Sequence, residues 1–240
     1  MKNEFKVFAL AVLAGSVQML SAAEISGKVK LKGTPPPELK IELNADCGKL
    51  HTAPIFTRHY VVGADGGLAN VFVYIKSGVT KKYDPPPTPA LLDQKGCEYQ
   101  PYVMGIVTGQ ELAIKNSDSF MHNVHAMPKL NKEFNIGQPL KDQVTKKVLD
   151  KAEVLAKFKC DVHPWMLAYV GVVDHPFFAV TDKNGSFKIS NLPAGKYTIE
   201  AYHVKAHGVA SPGVTQEITV TDSDKKEVNF TVEPKPVPAN

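Results

Sequence analysis

Cysteine is scarce, with three in 240 residues. That is too few for a scaffold held by many disulfides, and Cys47, Cys97 and Cys160 lack the paired spacing of a structural zinc site. Charge of one sign is lacking too. Lys plus Arg number 28 and Asp plus Glu 24, a formal surplus of +4. No arginine cluster or basic stripe accompanies that surplus, so nucleic acid is not an expected partner. No apolar run beyond residue 20 is long enough to span a bilayer. No stretch holds a helical apolar period over three turns, and no internal repeat is visible. What is present is 43% hydrophobic residues, enough to exclude wholesale disorder and to fill one large domain or two ordinary ones.

The first 23 residues read as an export signal. Lys2 and Lys6 precede an apolar stretch over 7–20, followed by the small residues Ser21, Ala22 and Ala23. A membrane anchor is the competing reading, but the run is short and holds Ser16 and Gln18. No Cys follows the run, so lipid attachment is not expected. The mature chain is expected to start at Glu24, to carry about +3 and no membrane span, and to work in the periplasm or outside the cell, where conditions are oxidising.

Beyond the signal, short alternating runs are separated by Gly, Pro, Asn and Asp. Strands are predicted over 25–31, 68–75, 111–115, 154–160, 196–204, 217–221 and 228–232. Residues 144–155 suit a short helix or a strand. The expected fold class is all-β with sandwich architecture. Segment 24–95 contains two proline knots, at 35–37 and 85–87, which must be loop or linker. Segment 96–176 carries the chemistry, 177–232 reads as a small β-module, and 233–240, with alternating prolines, reads as a flexible tail.

Two stretches within 96–176 stand out, residues 116–125 and 160–166. In the predicted strand 154–160, Val154, Ala156, Phe158 and Cys160 fall on one face. Leu155, Lys157 and Lys159 fall on the other, which the lysines mark as wet, so Cys160 should point inward. The chain then turns at His163 and Pro164 and reaches Met166. Upstream, His122 shares a face with Val124, while Asn123 and His125 face the other way. A thiolate, two imidazoles and a weak thioether make the ligand set of a mononuclear blue-copper electron-transfer centre. All four positions are filled by protein, which argues for a carrier and against an oxidase. An ordinary buried cysteine would explain Cys160 alone, but explains less well a Cys-x-x-His-x-x-Met loop closing a strand. No nucleophile–base set or phosphate loop stands out, so no enzyme activity is expected.

At these residues the chain resembles the cupredoxins, the plastocyanin and azurin family, over about 99–173. His122-Asn123-Val124 matches the family's upstream ligand stretch, and Cys160, His163 and Met166 match its ligand loop. The resemblance implies a cupredoxin-like Greek-key β-sandwich binding one copper ion through His122, Cys160 and His163, with Met166 axial. It implies that Asn123 ties the two ligand loops together through backbone hydrogen bonds. It also implies an exposed His163 as the electron exit and Trp165 as an apolar docking face for a redox partner protein. Only two residues separate His163 from Met166, a short loop that could shift the axial contact. A binuclear copper centre would need a second loop cysteine, and multicopper oxidases need His-x-His pairs; the sequence has neither.

The remaining candidates are less specific. His125 and Met127 should lie on the far side of the strand from His122. His175, His203 and His207 could build a second metal site, though surface histidines are the better expectation. With Cys160 assigned to metal, a Cys47–Cys97 disulfide is the simple assignment for an exported chain. It would close a loop of about 50 residues, worth on the order of 4 kcal/mol. The alternative is two reduced thiols acting as extra copper ligands.

The last module carries a second resemblance. Asn184-Gly185 is a hairpin turn, and Pro193 with Gly195 supplies the next bend. Thr-Asp-x-x-Gly-x-Phe over 181–187 and Leu-Pro-x-Gly-x-Tyr over 192–197 look like the carboxypeptidase regulatory-like, transthyretin-type β-sandwich. Those motifs mark a fold and not an activity, and no peptidase zinc motif is present. Residues 25–31 and 68–75 could complete that sandwich, with the copper domain inserted. Related modules occur in polysaccharide-binding proteins, which leaves room for a carbohydrate contact, although no aromatic-rich patch supports one. Three functions therefore compete: a cupredoxin-like electron carrier, a periplasmic copper chaperone or buffer, and a structural or carbohydrate-binding module.

Overall fold

A computed structural model describes residues 22–208 and 211–235. The expected export signal lies outside them apart from Ala22 and Ala23, as does the end of the expected tail, 236–240. The described residues are nearly all strand. In chain order the first elements are β1 (Ala23–Leu31), α1 (Ala45–Gly48), β2 (Phe72–Ser77), β3 (Ala90–Gln94), β4 (Tyr99–Gln100) and β5 (Val103–Val107). Then come β6 (Glu111–Asn116), β7 (His122–Met127), β8 (Phe134–Gln138), β9 (Val144–Val148), β10 (Glu153–Lys159) and β11 (Leu167–Val173). The last are β12 (Phe178–Val180), β13 (Ser186–Leu192), β14 (Gly195–Tyr202), α2 (Val204–His207), β15 (Val214–Val220), β16 (Lys225–Glu227) and β17 (Phe230–Val232).

These strands build two sandwiches. In the first, a sheet of order β5-β11-β10-β7-β8 faces a sheet of order β4-β3-β6-β9. Leu92, Leu112 and Ile114 from one sheet meet Val124, Phe158 and Val170 from the other, all fully buried. In the second, β13-β1-β16, with β17 also on β1, faces β12-β2-β14-β15. Its core joins Ile25, Val29 and Ile189 to Val73, Ile75 and Ile199. The fold class is thus all-β, a cupredoxin-like sandwich plus a second β-sandwich.

Pairing crosses the segments drawn from the sequence. β1 and β2 pair with β13 and β14, so the second sandwich takes strands from both ends of the described chain. β3 pairs in parallel with β6 and buries Leu92, so the first sandwich begins before residue 96. α1 contributes Cys47 to the first sandwich's core. Segment 24–95 is therefore divided between the two bodies.

Local departures from the predicted strands have backbone causes. The strand expected over 68–75 starts at Phe72 because Asn70 sits at φ 62°, which interrupts the ladder. Residues 144–148 pair antiparallel with β6, so the helical alternative is not used. The strand expected over 196–204 stops at Tyr202, and His203 caps α2 through its side chain. β10 carries a bulge: Glu153 faces Val172 and Ala156 faces Val170, with Leu155 at φ 54°. Leu155 is consequently not on a wet face. It is buried with Tyr102, Tyr169 and Val204, where the sandwiches meet.

That junction depends on two glycines paired across β5 and β11, Gly105 and Gly171. A Cβ on Gly171 would come within 2.5 Å of the Phe72 ring, and one on Gly105 within 2.5 Å of Phe178. The glycines leave a flat strip on which the two rings, 5.7 Å apart, can lie.

Candidate metal centre

The register of the first sandwich brings the two candidate stretches together. β10 runs antiparallel to β7, with Lys159 opposite His125. The end of β10 therefore points at the start of β7, where His122 lies. The 160–166 loop closes on itself there: Cys160 N–H donates to the Met166 carbonyl at 3.1 Å, and Met166 N–H to the His163 carbonyl at 2.9 Å.

His122 Nδ1 and His163 Nδ1 lie 3.0 Å apart, and Cys160 Sγ lies 3.6 Å from His163 Nδ1. One donor atom of each residue falls within 4.8 Å of the others. His122 and Cys160 are fully buried. Met166 is fully buried in the same apolar cluster as Cys160. Two nitrogens and a sulfur at first-row metal bond lengths in tetrahedral geometry stand roughly 3.3–3.6 Å apart. The observed separations match that spacing to a few tenths of an ångström, so these residues fit a small soft-to-borderline ion such as copper.

The surrounding hydrogen bonds fix each donor. Asn123 Oδ1 accepts from Asp161 N–H at 2.6 Å, from Val162 N–H at 3.4 Å and from the Cys160 thiol at 3.3 Å. Asn123 N–H in turn approaches Cys160 Sγ at 3.5 Å. The upstream stretch thus clamps the loop. Asp118 does the same for the other side. Its carboxylate meets His122 Nε2 at 2.9 Å and accepts from Gly96 and Cys97 N–H, each at 2.8 Å. Tyr99 hydroxyl donates to the Asn123 carbonyl at 2.8 Å.

The electrostatics suit a ligand set. Burial opposes charge on Cys160, but hydrogen bonds from His122 and from the backbone outweigh it and hold the thiol pKa below its usual value. Burial, with the neighbouring His122, lowers His163, which favours the neutral ring with a free lone pair. His122 goes the other way: burial disfavours its charge, yet the Asp118 and Cys160 bonds together raise its pKa. Burial likewise opposes the Asp118 charge and is outweighed by its donors, so its pKa falls.

The exposure expected of His163 needs correction, while the expected disulfide is present. His163 is not an exposed edge: it is 3% accessible. Cys47 and Cys97, joined as a disulfide and both fully buried, each place a sulfur within 4.8 Å of a His163 nitrogen. Trp165 is half-buried with its ring 5.3 Å from His163, and its Nε1–H donates to the Cys97 carbonyl at 3.0 Å. Its indole N–H is thus taken up by the disulfide loop. His125 meets Asp161 at 3.0 Å and Glu133 at 2.8 Å, one through each ring nitrogen.

His175 and His203 are buried rather than on the surface. His175 Nε2 donates to the Ile75 carbonyl at 2.7 Å, and His203 stacks on Tyr60 with centroids 5.1 Å apart. His207 is half-buried, its Nδ1 accepting from His203 N–H at 3.0 Å. Each ring serves nearby backbone, and among the described residues none of the three joins a metal-competent cluster. Asp118 is the residue of this cluster that the sequence did not single out. Its one signal was position, four residues before His122 in the polar turn 116–119.

No family model and no curated protein matches this chain. Solved structures give partial matches. A copper-containing nitrite reductase from Thermus scotoductus SA-01 is similar at 18% identity over 41% of this chain, with a TM-score of 0.35, and the match spans 25% of the reductase. A purple cupredoxin from Nitrosopumilus maritimus is similar at 24% identity over 35% of this chain and 98% of its own, with a TM-score of 0.30. A mutant amicyanin in its Cu(I) form is similar at 20% identity over 42% of this chain and 97% of its own, with a TM-score of 0.32.

Proposed function

We propose that this chain is an exported copper protein that carries single electrons, with one ion held by His122, Cys160 and His163 and with Met166 axial. The observation that supports this most is the meeting of two Nδ1 atoms and one Sγ inside a closed sandwich end. Bound copper would supply the one-electron couple. The thiolate and thioether favour the reduced ion and the imidazoles also serve the oxidised one. Asn123 and Asp118 hold the donors in place before any metal arrives, which keeps reorganisation between the two oxidation states small. Burial of the donors keeps water out and leaves no open position for a substrate, which supports a carrier over an enzyme.

Among the described residues no helix is long and apolar enough to cross a membrane. We read the second sandwich as a carboxypeptidase regulatory-like accessory module, and the partner as a redox protein. One observation favours the copper buffer instead: the disulfide lies over His163, where an electron carrier would expose an edge.

Voltammetry of the copper-loaded protein separates these readings. The carrier shows a reversible one-electron wave and rapid self-exchange; a buffer holds Cu(I) tightly and exchanges electrons slowly. In the same experiment Met166→Ala is expected to retain one equivalent of copper while changing both potential and visible spectrum. An unchanged potential and spectrum would remove Met166 from the axial position.

A further inference from the structure

The disulfide sits against the candidate centre, and its two half-cystines are held by bonds that do not depend on the S–S link. Cys97 N–H is bound by Asp118 and its carbonyl by Trp165. The adjacent Gly96 is bound on both sides, its N–H by Asp118 and its carbonyl by His51 Nε2 at 2.8 Å. Cys47 is held by the cap of α1, where Asn44 Oδ1 accepts its N–H at 2.8 Å. Breaking the S–S bond would therefore leave both sulfurs near His163.

We propose that Cys47, Cys97 and His163 form a second metal site that opens only on reduction and takes a soft monovalent ion, Cu(I). The proposal shares His163 with the function proposed above, but its donor pair is independent of Cys160. A dithiol reductant transfers two electrons and, with two protons, converts the disulfide to two thiols while itself becoming a disulfide. Uptake of the ion then releases the thiol protons. Two thiolates and an imidazole are a donor set that selects Cu(I). When both sets are filled, the second ring proton of His163 is released as well, and the resulting imidazolate offers one nitrogen to each set.

Access is local. Cys47 is buried, but Ala45, Asp46, Gly48 and Lys49 around it are exposed. Across 32–57 the only strand pairing among described residues is the isolated bridge Lys40–Phe56. A segment with so few ladder bonds opens at low cost compared with the sandwich core.

The test is Cu(I) stoichiometry on the full mature chain, read by competition with a chromogenic chelator, before and after treatment with a phosphine reductant. Wild type should bind one more equivalent when reduced than when oxidised. Cys160→Ser, which removes the first set, should bind none when oxidised and one when reduced. The Cys47→Ser/Cys97→Ser double variant should be indifferent to reductant. Equal stoichiometry in oxidised and reduced wild type, or no uptake by reduced Cys160→Ser, would overturn the proposal. So would loss of the strand signature in circular dichroism on reduction, because the site needs the fold. Absence of copper from oxidised wild type, with uptake by reduced Cys160→Ser, would sink the electron-carrier reading and leave this one standing.

Discussion

Cys160→Ser is expected to take the visible absorption of the Cu(II)-loaded protein to baseline while leaving the fold in place. The band of such a centre requires a thiolate bound to the oxidised ion, and a serine hydroxyl is a hard, weakly acidic donor that cannot replace it. The backbone should tolerate the change. Serine is nearly isosteric with cysteine, and Asn123 keeps its bonds from Asp161 and Val162 N–H. The cost is one buried contact, about 1 kcal/mol, which a urea melt of the metal-free protein can measure. Metal removal from wild type should bleach the same band and restore it on reloading. A band that persists in Cys160→Ser would exclude Cys160 as the thiolate.

The second large effect lies at the cap of α2 and concerns acid stability. Burial pushes the His203 pKa down to about 3, and the neighbouring positive charges of His207, Lys205 and His59 push the same way. An unfolded histidine titrates near 6.5. Between those values the unfolded chain binds a proton that the folded chain refuses, so this group's contribution is intact above pH 6.5 and is lost as pH falls. At pH 4.5 the loss is roughly 2–3 kcal/mol. His203→Asn removes the titration and keeps a good helix cap for α2. The difference in unfolding free energy between pH 7 and pH 4.5, from urea denaturation, should shrink by about that amount in the variant. An identical difference in variant and wild type would mean that His203 is protonated in the folded state.

The candidate loop was legible in the sequence because its parts are local. Cys160, His163 and Met166 occupy one loop, and the alternation of Ala156 and Phe158 along β10, continued to Cys160 just past its end, aims the sulfur inward. The pairing of Cys47 with Cys97 was legible by elimination. What stayed hidden depends on contacts between distant stretches. Asp118 matters because Gly96 and Cys97 pack beside it, which no local pattern announces. His163 is buried because a cysteine from α1 reaches it across the chain. Leu155 looked solvent-facing because a bulge adds one residue and reverses the alternation, and a leucine at positive φ gives no sequence warning. β3 was missed because five residues ending in Asp93 and Gln94 do not alternate cleanly, and their strand state comes from β6 alongside. His175 and His203 looked like surface residues because backbone satisfaction by a buried ring has no spacing rule.

X-ray absorption at the copper edge, on protein carrying one equivalent of metal, reads the donor atoms themselves. One sulfur and two imidazole nitrogens in the inner shell of wild type, with the sulfur missing in Cys160→Ser, is the expected result. A wild-type shell of nitrogen and oxygen alone would contradict a centre built from His122, Cys160 and His163.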